Sequence, residues 1–173
     1  MQAPRKRTGA SETISPPAPL MADQGRCNST ALRKATRRVS QLYDAALAPC
    51  GLRSTQRSIL IHIARAGRPT MGGLATALVI DRSALAHNLK PLERDGLVAI
   101  EVAEDDRRSR IIRLTRKGEA KLQESMSLWQ SAQDRFERAF GVENAAALRL
   151  TLEAIASGRF GEDYESPGPH ARA

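Results

Sequence analysis

The chain has 173 residues and a net charge of +8, with a pI near 10.3. That length suffices for one domain with a core, the basic balance suggests a partner of negative charge, and two cysteines without a CxxC pair exclude a disulfide framework and fit a reducing cytosol. No apolar run reaches membrane-spanning length, and the basic cluster at Arg5–Arg7 has no apolar core after it, so neither a membrane span nor a secretory signal is expected and the cytoplasm is the expected location.

Residues 1–25 are rich in Pro, Ser, Thr and Ala without periodicity and read as a disordered tail. A single domain is expected over 26–160. The charges of the two tails cancel, so residues 26–158 hold the whole +8. Leu32, Ala35, Val39, Leu42 and Ala46 follow at spacings of 3, 4, 3 and 4, which makes one apolar seam on a helix over 29–48. Arg33, Lys34, Arg37 and Arg38 decorate the rest, and Pro49 and Gly51 end it. Ser54 is expected to cap the next helix, which carries Ile59, Leu60 and Ile63 and runs to Gly67. Thr70 caps a short helix through Leu78. After the tight break "VID", Asp81 caps a helix from Arg82 to about Arg94, closed by Gly96. Leu85, Leu89 and Leu92 face the core, and Pro91 predicts a bend because it removes the bond to the His87 carbonyl. Val98, Ile100 and Val102 alternate before the polar turn "EDDRRSR", and Ile112 and Leu114 after it, which predicts a β-hairpin with a cationic tip. Thr115 caps a long helix over 116–140 with Leu122, Met126, Trp129, Phe136 and Phe140 on its inner face. A last helix over 143–158 carries Leu148, Leu152 and Ile155 and stops at Gly158, and residues 161–173 read as a flexible tail.

The predicted fold is therefore mainly α with a small β-hairpin wing. Two helices split by a three-residue turn and followed by a hairpin, over about 54–115, make a winged helix-turn-helix. Its second helix is the recognition helix, with Arg82, Ser83, His87, Asn88 and Lys90 as the DNA-contacting residues, since such side chains reach base edges in a major groove. Arg107, Arg108 and Arg110 crowd the hairpin tip, where phosphate relieves their mutual repulsion and the minor groove concentrates negative potential. Asp105 is read as a positioning residue that aims Arg107.

The blocks "TMGGLATALVIDRSALAHNLKPLERDGLV", "EDDRRSRIIRLTRKGEAKL" and "ALRKATRRVSQLYDAAL", the last leading into "GLRSTQRSIL", together resemble the MarR (multiple antibiotic resistance regulator) family over about residues 27–158. The family's wing signature appears as Asp105, Arg107, Arg110, Leu114, Thr115 and Gly118. The resemblance implies a homodimer built through a helical dimerisation layer, with helices at about 29–48, 116–140 and 143–158. It also implies binding to a pseudo-palindromic double-stranded DNA operator, repression as the usual mode, and release by a small molecule or by thiol oxidation. One subgroup senses organic hydroperoxides with a cysteine fourteen residues before a pocket tyrosine. Aligning on "LYDAAL" puts Tyr43 at that tyrosine and Ser29 at the cysteine position, with Cys27 two residues earlier.

Aromatic residues are scarce, so Tyr43 and Trp129 stand out as walls of an effector pocket that His62 and the arginines of the first helix complete for an aromatic acid; packing in the core is the plainer role for both. Cys27, with Arg26 beside it, is the candidate redox thiol, against a quiet thiol near a helix start. No GxSxG, P-loop, HExxH or dinucleotide motif is present, so no catalytic residue is assigned. His62, His87 and His170 lie apart without ligand spacing, so no metal and no cofactor are expected. The reading is a dimeric, sequence-specific repressor released by a small aromatic or acidic ligand. The alternatives are a redox regulator using Cys27 and a ligand-independent architectural DNA-binding protein.

Overall fold

The computed structural model describes residues 27–103 and 106–166. The expected tail over 1–25, residue Asp105 and residues 167–173 lie outside them. The elements in chain order are α1 (Asn28–Leu47) with a 3-10 turn (Ala48–Cys50), α2 (Ser54–Ala66), α3 (Met71–Ala77), α4 (Arg82–Arg94), β1 (Val98–Val102), β2 (Arg110–Leu114), α5 (Arg116–Phe140), α6 (Val142–Ala156) and α7 (Gly158–Glu165). The mainly helical fold with one antiparallel hairpin is the predicted one. The chain divides into two units between Arg38 and Val39. In the first, the described residues form the exposed opening turns of α1, where Thr30 Oγ1 donates to Cys27 Sγ at 3.3 Å and Arg37 Nε donates to the Arg33 carbonyl at 3.3 Å.

The second unit holds the core. Leu47, Leu60, Ile63, Leu74, Leu85, Leu89, Leu92 and Ile112 are each essentially solvent-free. Burying such a side chain contributes about 1.5–3 kcal/mol. The leucine triplet of α4 faces inward as its spacing demanded, and α4 packs on α3 and β1 while α2 packs on α5 and β2. In the hairpin Val98 pairs with Leu114 and Ala99 with Arg113. Thr70 adds an isolated bridge to Ile111, and Ile112 N–H donates to the Pro69 carbonyl at 2.9 Å, so the α2–α3 loop runs along the free edge of β2. Thr70 caps α3 through Gly73 N–H, Asp81 caps α4 through Ala84 N–H, and Thr115 caps α5 through Gly118 N–H, each as expected.

Three expectations need correction. Ser54 does not cap α2 with its own oxygen. It is the first helical residue, and its N–H and its hydroxyl both donate to Asp44 Oδ1 at 2.6 Å, so a carboxylate from α1 serves the helix start. The inner face of α5 keeps Leu122 as expected, but beside it lie Gly118, Ser125 and Ala132, small residues that allow close approach, while Met126 and Phe140 are exposed. The chain after Gly158 is not loose up to Ser166. Ser157 accepts from Phe160 N–H and starts α7, and the Phe160 and Tyr164 rings stack one turn apart with centroids at 6.4 Å. The turn before α4 contains Val79 at φ +53°, an uncommon conformation for a β-branched residue, held by Val79 N–H to Thr76 O and Ile80 N–H to Ala75 O.

Gly118 is where α5 meets the base of the hairpin, and a Cβ there would collide with the Leu97 carbonyl oxygen. That oxygen already accepts from Thr115 N–H at 3.1 Å. We expect Gly118→Ala to lower the unfolding free energy by about 1–3 kcal/mol, as overpacking a tight contact does. Denaturant unfolding of the purified variant checks it; parental stability would show that the helix can slide away from Leu97.

Candidate nucleic-acid interface

The N-terminal half of α4 presents its polar residues outward. Arg82, Ser83, His87 and Lys90 are exposed, and Asn88 is half-buried at the edge of that face. Ser83, His87 and Lys90 follow at spacings of four and three, one stripe along a helix. The Ser83 hydroxyl donates to Asp81 Oδ1 at 2.7 Å, which leaves its lone pairs, and not its proton, to face a partner. Asp81 accepts from the Ala84 N–H and from Ser83, and these bonds hold its carboxyl below the usual range. The Arg82 guanidinium lies back over Gly72 of α3, where an added Cβ would stand 2.9 Å from Nη2. It therefore leans toward the first helix of the motif and away from the Ser83 stripe. The helix runs on through Pro91, with Asp95 N–H donating to the Pro91 carbonyl.

The hairpin tip is a turn through Arg107 and Arg108. Arg107, Arg108 and Arg110 are all exposed, and among the described residues none of them meets a carboxylate within ion-pair distance. Asp105 lies outside the described residues. The ordering observed comes instead from Asp106, whose carboxylate accepts from Arg108 N–H at 2.9 Å and whose carbonyl accepts from Ser109 N–H at 2.9 Å. Arg110 Nη1 donates to the Arg107 carbonyl at 3.1 Å, folding one arginine back across the turn. Along the hairpin strands the charges are paired. Glu101 of β1 accepts from Arg113 Nε of β2 at 2.6 Å and from Arg68 Nη2 of the α2–α3 loop at 3.2 Å. The Arg113 hydrogen bond, with the charges of Arg113 and Arg68, holds the Glu101 carboxyl below its usual range. This three-residue clamp was missed by sequence reading, because Arg68 and Glu101 lie 33 residues apart in charge-rich segments.

Tyr43, His62 and Trp129 are not among the lining residues of the two cavities described below, and each has contacts of its own. The Tyr43 hydroxyl donates to Gln133 Oε1 at 2.7 Å, and burial, then the Glu137 charge, raises its pKa. His62 Nδ1 pairs with the Ser58 carbonyl one turn earlier on its own helix at 2.7 Å. Trp129 lies under the Arg57 guanidinium, 4.6 Å from ring centroid to Cζ. Arg57 is only 8 % exposed; its Nε donates to Ser125 Oγ at 3.2 Å and its Nη2 approaches Met126 Sδ at 3.4 Å. Burial, then the like charge of Arg65, lowers its pKa. Nothing in the sequence around "TQRSIL" marks Arg57 as a core residue except its place one helical turn before the apolar Leu60–Ile61 pair. Two cavities open elsewhere. One, of about 490 Å³, lies between α2, β2 and α5 and is lined by Ile61, Ile63, Leu114, Leu122, Met126 and Arg113 among others. The other, of about 290 Å³, is lined by residues that include Cys50, Leu97, Lys117 and Lys121. Cys50 is buried and donates to the Leu47 carbonyl. Among the described residues no cluster suits a metal ion, and no helix is long and apolar enough to cross a membrane.

A sequence profile of the MarR family matches residues 51–109. Among solved structures, the transcriptional repressor CouR bound to a 23-mer DNA duplex matches with TM-score 0.71 and 31% identity, covering 79% of this chain and 97% of that one. The M. tuberculosis transcriptional regulator MosR in complex with DNA matches with TM-score 0.64 and 36% identity, covering 75% of this chain and 98% of that one. CouR from Rhodococcus jostii RHA1 bound to p-coumaroyl-CoA shares the fold, with TM-score 0.64 and 24% identity over 74% of this chain and 90% of that one. No curated protein matches the chain.

Arg57 allows a direct check of the geometry, because Trp129 is the sole tryptophan. A buried guanidinium held by a hydroxyl, a thioether and a ring face recovers little of its desolvation cost. Arg57→Met should leave the unfolding free energy unchanged or raise it by about 1 kcal/mol, and should shift Trp129 emission as the cation leaves the ring. A drop of several kcal/mol would show that Arg57 has a charged partner.

Proposed function

The chain belongs to the MarR family, and on that premise we propose a homodimer that grips DNA through α4 and the hairpin tip of each protomer. It is a DNA-binding transcriptional regulator and not an enzyme. The observation that carries the reading is one exposed stripe on α4, Ser83, His87 and Lys90, beside a hairpin whose Arg107, Arg108 and Arg110 face solvent without a carboxylate among the described residues.

On this reading α4 enters the major groove. Ser83, with its proton committed to Asp81, accepts a hydrogen bond from a base amino group. His87 and Asn88 read base edges, Lys90 meets the backbone, and Arg82, leaning over Gly72, reaches the phosphates beside the first helix of the motif. The tip arginines reach the flanking minor groove or backbone. The two recognition helices of the dimer meet half-sites about 34–36 Å apart, hence a pseudo-palindromic operator. The dimer surface is apolar. Leu42, Val142, Leu150, Leu152, Ile155, Phe160 and Tyr164 are exposed, Tyr164 at 82 %, and a second chain would cover them. The protein acts in the cytoplasm, where its operator lies.

We further read it as a repressor released by a small acidic ligand. CouR of Rhodococcus jostii RHA1 is bound to p-coumaroyl-CoA, and this chain has a half-apolar cavity of ligand size in the DNA-binding lobe. A ligand shifts the dimer only if it fits one spacing of the two recognition helices better than the other.

Operator selection followed by salt titration tests the DNA-binding surface. Arg107→Ala should weaken binding to many sequences and flatten the salt slope by about one unit for each phosphate no longer neutralised. His87→Ala should change the preferred sequence, at about 1–3 kcal/mol for each base it ceases to read. An unaltered motif and slope in both would leave this surface solvated and idle. For the dimer, Leu152→Glu with Ile155→Glu should give a monomer by light scattering at micromolar concentration; a dimer that persists places the interface on another face.

A further inference from the structure

We propose that Val79, in the turn that leads into α4, touches the C5 methyl group of a thymine in the operator and is held in a strained backbone conformation for the sake of that contact. The proposal rests on the reading above that α4 enters the major groove, and it adds a residue that reads an apolar group there.

Val79 closes α3 in an irregular way. Ile80 N–H donates to the Ala75 carbonyl and Val79 N–H to the Thr76 carbonyl, both at 3.1 Å. These are the two reversed bonds with which a helix ends on a residue of left-handed conformation, a place filled mostly by glycine and sometimes by asparagine. The chain keeps this rule elsewhere. The other described residues at positive φ are Gly51, Gly67, Gly96 and Gly141, between +71° and +92°, and each stands within two residues of a helix end. At the turn before α4 the chain puts a valine in this place, at φ +53°. A left-handed backbone crowds the Cβ against the following carbonyl oxygen, and a branched Cβ makes the position a conformational outlier.

The fold does not account for the valine. Leu78 and Ile80 on either side pack on the core, whereas Val79 is 66 % exposed. The bonds of the turn are backbone bonds, so glycine or asparagine would make them without the crowding. A single exposed apolar side chain is ordinary on a protein surface. One held there against conformational strain is not, and strain of this kind gathers at functional sites.

Val79 lies two residues before the Asp81 cap and four before Ser83, at the end of α4 whose first residues meet base edges in this motif. Asp81, Arg82 and Ser83 at that end are exposed and polar. Among the described residues of 54–115, the other large apolar side chain exposed to solvent is Val102, at the end of β1. In the major groove the alkyl group on the base edges is the thymine methyl, and aliphatic side chains recognise it by contact. Valine offers two methyl groups on a stiff χ1. The left-handed backbone turns them outward while Leu78 and Ile80 anchor the turn inward. Glycine would supply the turn alone; valine supplies the turn and the contact.

The test uses the full-length protein and the operator obtained by selection, with affinity read by fluorescence anisotropy. Each thymine of one half-site is replaced in turn by deoxyuridine, which lacks only the methyl. At one thymine the parent should lose about fourfold in affinity, the value of one buried methyl group, and Val79→Ala should lose nothing there. On the unmodified operator Val79→Ala, with two methyl groups fewer in each protomer, should bind about tenfold more weakly than the parent. Val79→Asn should bind less tightly and melt about 2–4 °C above the parent, as relief of one strained residue does in a chain of this size. A Val79→Asn variant that melts below the parent shows that the valine serves the fold, and overturns the proposal. Val79→Ala that binds as the parent does also overturns it. So does Val79→Ala that weakens binding while every deoxyuridine affects it and the parent alike, which assigns the contact to the sugar–phosphate backbone. His87→Ala, run beside these variants, separates the two readings. If it alters the preferred sequence where Val79→Ala is without effect, the α4 reading stands and the proposal falls. If both are without effect, the α4 reading falls and takes the proposal with it.

Discussion

The architecture of the DNA-binding lobe depends on one joint at the hairpin base. Thr115 Oγ1 donates to the Gly96 carbonyl at 2.6 Å and accepts from Gly118 N–H at 3.0 Å, while Thr115 N–H donates to the Leu97 carbonyl at 3.1 Å. A single residue thus closes the turn after α4, ends β2 and starts α5. Gly118 makes the joint possible, since any side chain there would occupy the space of the Leu97 carbonyl. With the joint in place, the orientation of α4 relative to the hairpin is fixed by short covalent and hydrogen-bonded links and not by long side chains. A reader of DNA needs this rigidity, because groove contacts tolerate errors of well under a base-pair step.

Charge is distributed along the hairpin in two regimes. Along the strands, Arg68 and Arg113 are paired to Glu101 and their charge is spent within the protein. At the tip, Arg107, Arg108 and Arg110 are held by backbone bonds that leave their charge outward. The repulsion this stores is modest at exposed positions and is relieved by phosphate. The division leaves the tip as the part of the hairpin whose charge is open to a partner.

Aromatic scarcity singles out Tyr43 and Trp129 in the sequence but says nothing of what each one meets. Tyr43 and Trp129 are each engaged by a partner whose significance is three-dimensional. Gln133 takes the Tyr43 hydroxyl, and Arg57 covers the Trp129 ring. Arg57 is buried with no carboxylate in ion-pair distance among the described residues, which is costly to desolvate, and the face of an indole is one of the few apolar surfaces that offsets part of this. The cavity between α2, β2 and α5 is lined in large part by aliphatic residues that the sequence offers by the dozen, so no rarity marked them.

The sequence by itself determined the order and limits of most helices, the three caps at Thr70, Asp81 and Thr115, the leucine face of α4, the hairpin, and the outward cationic tip. These follow from local rules, namely helical spacing, strand alternation and capping chemistry, which act within a few residues. Only the tertiary structure decided which carboxylate serves the start of α2, that α5 turns Gly118, Ser125 and Ala132 inward beside Leu122 in place of Met126 and Phe140, that α7 continues the chain, and that Glu101 gathers Arg68 and Arg113. Most of these rest on residues far apart in the chain, whose meeting is set by packing. Periodicity gives a helix its apolar face, but the closest approach of its neighbour chooses which residues of that face are buried.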